Sequence, residues 1–219
     1  MPSLKKDNGV TIVLPVFEEP EVVAMFLNCN REILQQHPLF VVDLKGGEIL
    51  KGYAAFYRKT SCPTIAWPLG SSRRFLIRRV QTEFTLNLDV DVLLPNNFVS
   101  ESLKKFKDPL VAAVSINYYG HHTHLPFGPS IWRTKILQKL YDWEHWKLKN
   151  CECLYMWNKL RKAEYKLETL DMRAKHLKYW GDSITQRHRG FYNSTRKVLK
   201  RLFGIPLKMT TEEIDRHTS

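Results

Sequence analysis

Asp89-Val90-Asp91 sets two carboxylates one residue apart at the end of the apolar run Phe84-Thr85-Leu86-Asn87-Leu88. Paired carboxylates are hard oxygen ligands suited to Mg²⁺ or Mn²⁺, which complete their shells with water and substrate phosphates. On a regular strand the two acids share a face about 7 Å apart, whereas a bend lets them converge on one ion. The same tripeptide also fits a polar strand end in water. Leu86, Leu88, Val90, Val92 and Leu93 surround the acids with apolar groups, so bare charge there is costly without a cation or hydrogen bonds. Upstream lie Arg73, Arg74, Arg78 and Arg79; positions 74 and 78 are one helical turn apart, and one such side chain reaches a phosphate or the paired acids. The alternative for the four is a solvated basic face. Asp43 ends a second apolar run and is either an acceptor for a base or ribose hydroxyl or the cap of the Lys45-Gly46-Gly47 turn. His121, His122 and His124 match no common zinc spacing and have no thiolate close in sequence, which favours a structural or acceptor-loop role.

Short apolar strands must position these groups. Residues 10–17 read as a buried strand that stops at Pro15 and Phe17, and 39–44 as a second ending at Asp43. Further strands fall at 63–67, 83–88, 110–117 and 165–170. Between them the pattern predicts helices over 21–36, 48–59, 70–80, 97–107, 133–147 and 151–163, with 118–130 a loop. Ser71 or Ser72 caps the third of these helices. The early β-α-β-α-β-α-β order, with strands that lack strict alternation, predicts an α/β fold whose mostly parallel central sheet is covered on both faces. In such a sheet ligands bind beyond the carboxyl ends of the strands, where Asp43 and the Asp89–Asp91 pair fall.

Several stretches in sequence order resemble the glycosyltransferases of the inverting family 2 type, which implies a single Rossmann-like domain of the GT-A fold with a mixed central sheet. The stretch TIVLPVFEEP resembles the family's first strand and loop, and implies that Pro15, Val16, Phe17 and Glu18 border the nucleotide. Val41-Val42-Asp43 is similar to the second strand, whose Asp contacts the base; Leu44 stands where a second Asp is customary. The stretch from Ser71 to Phe98 implies Arg73 or Arg74 near the diphosphate, and Asp89 and Asp91 as the family's DxD motif. PFGPSIWRTKILQKLYDWEH resembles the acceptor-side segment, with Gly128, Ser130 and Arg133 on its turn and Trp143 and Glu144 beyond. CECLYMWNKLRKAEYKLETL resembles the segment that supplies the catalytic base. Glu152 keeps that segment's Glu, while Cys153 replaces its Asp. His176, Gly181 and Ser183, with the tail from Arg187, complete the likeness.

The resemblance implies a UDP-, GDP- or dTDP-sugar donor and a glycan, protein or lipid-linked acceptor. Asp89, Asp91 and His176 are the implied ligands of Mn²⁺ or Mg²⁺, Asp91 and Glu152 the catalytic acids, and Glu152 the base. Because a thiol is a poor substitute for a carboxylate base, Asp142, Glu144 or an inactive, structural role for the fold stays open beside Glu152.

The chain has 219 residues with 34 Lys and Arg against 22 Asp and Glu, a formal charge of +12. Such length buries a core without crosslinks and fits one catalytic domain. Over half of the surplus lies in residues 186–208, which hold seven Lys or Arg and no acid. That partition predicts a domain over 1–185 and a basic amphipathic segment over 186–219, packed on the domain or on an anionic membrane surface. Nucleic acid is disfavoured because no helix-turn-helix, zinc finger or RNA-binding signature accompanies the charge. A metal-dependent nuclease would need further carboxylates or a Lys beside the acidic pair. Four cysteines without a CxxC spacing read as reduced thiols of a cytoplasmic protein, and no apolar run is long enough for a leader or a spanning helix.

Overall fold

A computed structural model of the chain describes residues 9–18, 20–44, 46–60, 68–119, 125–142 and 151–176. The expected strand at 63–67, the three loop histidines, Trp143, Glu144, Gly181, Ser183 and the basic tail lie outside them.

Eight strands form one mixed sheet. They are β1 (Val10–Val16), β2 (Leu39–Asp43), β3 (Phe56–Lys59), β4 (Phe84–Asn87), β5 (Val92–Leu93), β6 (Val111–Tyr118), β7 (Ser130–Arg133) and β8 (Lys166–His176). Their spatial order is β3-β2-β1-β4-β7-β6-β8-β5. The β3-β2-β1-β4 half is parallel throughout, β7 runs antiparallel between β4 and β6, and β8 is parallel to β6. Every residue of β1 is buried, as its unbroken apolar sequence requires of a strand covered on both faces.

Helices α1 (Pro20–Cys29), α2 (Arg31–Gln36) and α4 (Phe98–Lys105) place Val23, Phe26, Ile33 and Phe98 in the core on one face. Helices α3 (Pro68–Ile77), α5 (Thr134–Leu140) and α6 (Glu152–Lys162) place Leu76, Leu137, Met156 and Leu160 in the core on the other. The crevice opens where β1 and β4 part. Their pairing ends at Val13 and Asn87, just before Pro15, which has no N–H to offer the next rung.

Three local expectations are corrected. The helix expected over 21–36 is two helices, because Asn30 turns the chain between them. Its amide donates to Phe26 O at 3.1 Å and Val92 O at 3.0 Å, and its oxygen accepts from Leu94 N at 3.0 Å, tying the break to β5. The helix expected over 48–59 is a run of turns followed by β3, where pairing with β2 outweighs helix propensity. The loop expected over 118–130 ends in the edge of β7, whose four residues pair with β4 and the first three of which also pair with β6.

Candidate active site

Asp89 and Asp91 leave β4 in a tight turn, closed by Val92 N donating to Asp89 O at 3.1 Å. The turn sends the two carboxylates to different partners. Asp89 Oδ1 accepts from Arg73 Nη2, while Asp91 Oδ1 lies 3.4 Å from His176 Nε2. Register explains the second pair: Val92 stands opposite His176 where β5 meets β8, so the residue before Val92 faces the end of β8. Tyr118 packs edge-on against the His176 ring at 5.2 Å and donates its hydroxyl hydrogen bond to Gly128 O.

Arg73 is the centre of the site's charge. It is fully buried on α3, and its second nitrogen, Nη1, donates to Glu152 Oε2 at the start of α6. The other oxygen of Glu152 accepts from the Tyr141 hydroxyl. One guanidinium thus bridges two carboxylates contributed by distant parts of the chain, with its carbon 5.4 Å from the centre of the Phe127 ring. Burial works against the Arg73 charge, but Glu152 and Asp89 outweigh it and hold the guanidinium protonated.

Burial raises the Glu152 carboxyl above the usual carboxylate range; Arg73 and the Tyr141 bond oppose the rise, and the Asp89 charge adds to it. Asp89 is raised for the same first reason, with Arg73 pulling down and Asp91 pushing up. A third of its side chain remains accessible, so Asp89 is enclosed by protein yet open along one edge.

Gly128 fits against that carboxylate. A Cβ at this position would lie 2.8 Å from Asp89 Oδ2, so only glycine permits the approach. The adjoining Phe127 N–H donates to Cys153 Sγ at 3.3 Å. The thiol of Cys153 is pushed well up by its bond with Cys151 and by burial, which leaves it neutral and no stand-in for a carboxylate base. Asp142 is exposed, pairs with Lys159 at 2.6 Å and accepts from Tyr155 at 2.8 Å, away from the Arg73 cluster.

Asp43, at the end of β2, is committed to its own turn. It accepts from Gly46 N at 2.6 Å, Glu48 N at 3.2 Å and Tyr57 Oη at 2.7 Å. Pro15 and Val16 are buried at the end of β1; Phe17 and Glu18 are partly exposed beyond it. Arg74 is partly exposed on α3, one residue from Arg73.

The structure therefore brings together Asp89, Asp91, Arg73, Glu152 and His176. Asp43 stands at the end of the strand two places away from β4. Tyr141, Phe127 and Asn30 were not singled out from sequence; nothing local marks a core Tyr or Phe as a partner of a buried ion pair. Among the described residues, no group of three or more His, Cys, Asp or Glu gathers closely enough to hold a metal ion unaided. Mg²⁺ and Mn²⁺ do not need one, since one or two protein ligands and substrate phosphates suffice.

A parallel half-sheet whose strand order reverses between β1 and β4, with acids at the end of β4, is an α/β fold of the GT-A type. Several solved structures share that architecture. TarS of S. aureus, residues 1–349 in complex with UDP-GlcNAc, matches with a TM-score of 0.59 and 14% identity, over 93% of this chain and 77% of that one. The same TarS fragment bound to UDP matches at 0.59 and 13%, over 94% and 77%. The 2-C-methyl-D-erythritol 4-phosphate cytidylyltransferase of Thermus thermophilus matches at 0.51 and 12%, over 74% and 88%. No family model and no curated protein sequence matches the chain. At these identities the likeness is one of fold.

Proposed function

We propose that the protein is a glycosyltransferase that moves a sugar from a nucleoside-diphosphate sugar to an acceptor hydroxyl, with inversion. The observation that carries this reading is the Asp89–Arg73–Glu152 cluster at the mouth of the β1–β4 crevice, beside the Asp91–His176 pair. TarS, of like fold, binds UDP-GlcNAc, which supports a nucleotide-sugar donor of the UDP, GDP or dTDP type.

The base and ribose lie toward Pro15–Glu18 and Asp43, and the diphosphate toward Arg73 and Arg74. Asp91 and His176, with the open edge of Asp89, would hold Mn²⁺ or Mg²⁺, whose charge would stabilise the departing diphosphate. Arg73 lies on the same side, where its permanent charge offsets the two carboxylates it bridges and lowers their repulsion of the diphosphate. Glu152 accepts the proton of the acceptor hydroxyl. Its raised proton affinity suits that task, and its two observed bonds occupy two of roughly four acceptor positions on a carboxylate. The neutral Cys153 thiol keeps the Phe127–Gly128 turn in place and takes no proton. The acceptor is a glycan, a protein or a lipid-linked molecule. Residues 1–185 form the catalytic domain, with the basic segment 186–219 resting on it or on an anionic membrane. Among the described residues no helix is long and apolar enough to cross a membrane.

The test is release of UDP from UDP-GlcNAc, with and without Mn²⁺, by the wild type, Asp91→Asn and Glu152→Gln. Metal-stimulated turnover lost in both variants supports the assignment. Full metal-dependent turnover in both refutes it, and a panel of GDP- and dTDP-sugars separates a wrong donor from a wrong function.

A further inference from the structure

Two fully buried polar groups lie on the α3–α5–α6 side of the sheet without a protein partner. Asn87, the last residue of β4, is 0% exposed, and neither its amide nitrogen nor its oxygen has a hydrogen-bond partner among the described residues. Arg73 is equally buried. Its Nη1 and Nη2 serve Glu152 and Asp89, but its Nε–H has no partner there either. Native proteins rarely leave a buried amide wholly unbonded, and ordered water is the usual remedy where protein groups do not reach.

The register puts the two groups on one side. Asn87 stands opposite Val13 of β1 and Ser130 of β7, and Val13 belongs to the core beneath α3, α5 and α6. Leu86 and Leu88, its chain neighbours, pack into the opposite core, as strand alternation requires. Asp89, which Arg73 grips, is two residues further along. Residues 87 and 89 share a face of the extending chain, so the Asn87 amide and the guanidinium that grips Asp89 lie at the same end of β4, and no direct hydrogen bond joins them. Ser130 does not join them either. Its hydroxyl donates to Phe127 O and accepts from Trp132 Nε1 at 2.9 Å.

We propose that Asn87 is a positioning residue for Arg73, acting through one buried water that accepts from Arg73 Nε–H and bonds to the Asn87 amide. The water gains two protein partners in this arrangement, within the range of a buried site. It fixes the third edge of a guanidinium whose other two edges face Asp89 and Glu152, and so sets the plane of the cation beside the diphosphate. The kinetic consequence rests on the proposed role of Arg73 in transfer. The water does not.

Nuclear magnetic resonance of the ¹⁵N-labelled full chain tests the water directly, with the Arg73 Nε–H signal assigned through its contact with the Phe127 ring. The wild type should show a slowly exchanging Nε–H with a cross-peak to a bound water. Asn87→Leu, which removes the amide at similar volume, should abolish that cross-peak, and Asn87→Asp should keep it. With UDP-GlcNAc as the donor probe, kcat should fall about tenfold in Asn87→Leu with little change in KM, and recover in part in Asn87→Asp. A wild type without the water cross-peak overturns the proposal. So does an Asn87→Leu protein that melts higher while its Arg73 signal is unmoved, because the amide is then merely an unmet polar group. If the wild type shows the water but turns over no nucleotide sugar, the fault lies with the proposed reaction and Asn87 keeps its role.

Discussion

Substituting Gly128 with alanine adds one methyl group against the Asp89 carboxylate. The new Cβ would lie 2.8 Å from Asp89 Oδ2, 3.0 Å from its Cγ and 3.2 Å from Oδ1. Ordinary carbon–oxygen contacts begin near 3.3 Å, so one side must retreat by about half an ångström. Asp89 cannot swing freely, since Arg73 holds Oδ1 and is itself held by Glu152. The Gly128 turn is anchored by the Phe127–Cys153 and Tyr118–Gly128 bonds. Overpacking of this kind costs about 1–3 kcal/mol. In a domain of this size that lowers the melting temperature by roughly 2–12 °C. A shift of half an ångström at a charge-bearing group should also cut donor turnover by about tenfold, given that 1 Å can cost about a hundredfold. Differential scanning fluorimetry and UDP release measure the two effects. Gly52→Ala is the control, because nothing lies within 4 Å of its added Cβ. Unchanged melting and unchanged turnover in Gly128→Ala would refute the view that the turn is packed against Asp89.

Three further outcomes follow from the bonds described. Asp43→Ala strips the acceptor from the Gly46 and Glu48 N–H groups and the Tyr57 hydroxyl, and should destabilise the fold by about 3 kcal/mol or more in urea titration; Asp43→Asn should cost less. Glu152→Gln keeps the shape but leaves Arg73 with Asp89 as its one carboxylate partner among the described residues, and chemical denaturation should show a loss of about 1.5–3 kcal/mol. Lys166 and the Leu110 N–H hold the Asp108 carboxyl below the usual range. A depressed folded-state pKa gives stability that is present above the unfolded value and lost as pH falls through the folded one. Melting curves of Asp108→Asn and the wild type should therefore differ at neutral pH and converge in acid.

Most of the parallel half of the sheet was legible because β1, β2 and β4 are apolar runs that only a doubly covered sheet can bury. The acids at the end of β4 were legible for a related reason, as charge placed where burial is near. Strand β7 was not: Ser-Ile-Trp-Arg is four residues after a Gly-Pro pair, too short for a period to show. Strand β3 was hidden by Ala54-Ala55 and by neighbours that form helices well in isolation. Arg73 could be read only as one of four basic residues, because the groups that bury it lie 16 and 79 positions away. Its location inside the protein is a property of tertiary charge balance, which no window of sequence contains.

The Arg73 bridge also orders events during synthesis. Domains fold as their elements leave the ribosome, beginning from the N-terminus. A nascent chain that has emerged through β4 already possesses Arg73 and Asp89, but Glu152 still awaits translation. Until α6 arrives, one terminal nitrogen of the Arg73 guanidinium on α3 lacks the carboxylate that receives its hydrogen bond. The α3 surface that carries it cannot be sealed against water at low cost. Docking of α6 brings Glu152 to the second terminal nitrogen of Arg73, so the carboxylate made last is the one that lets the α3 surface close.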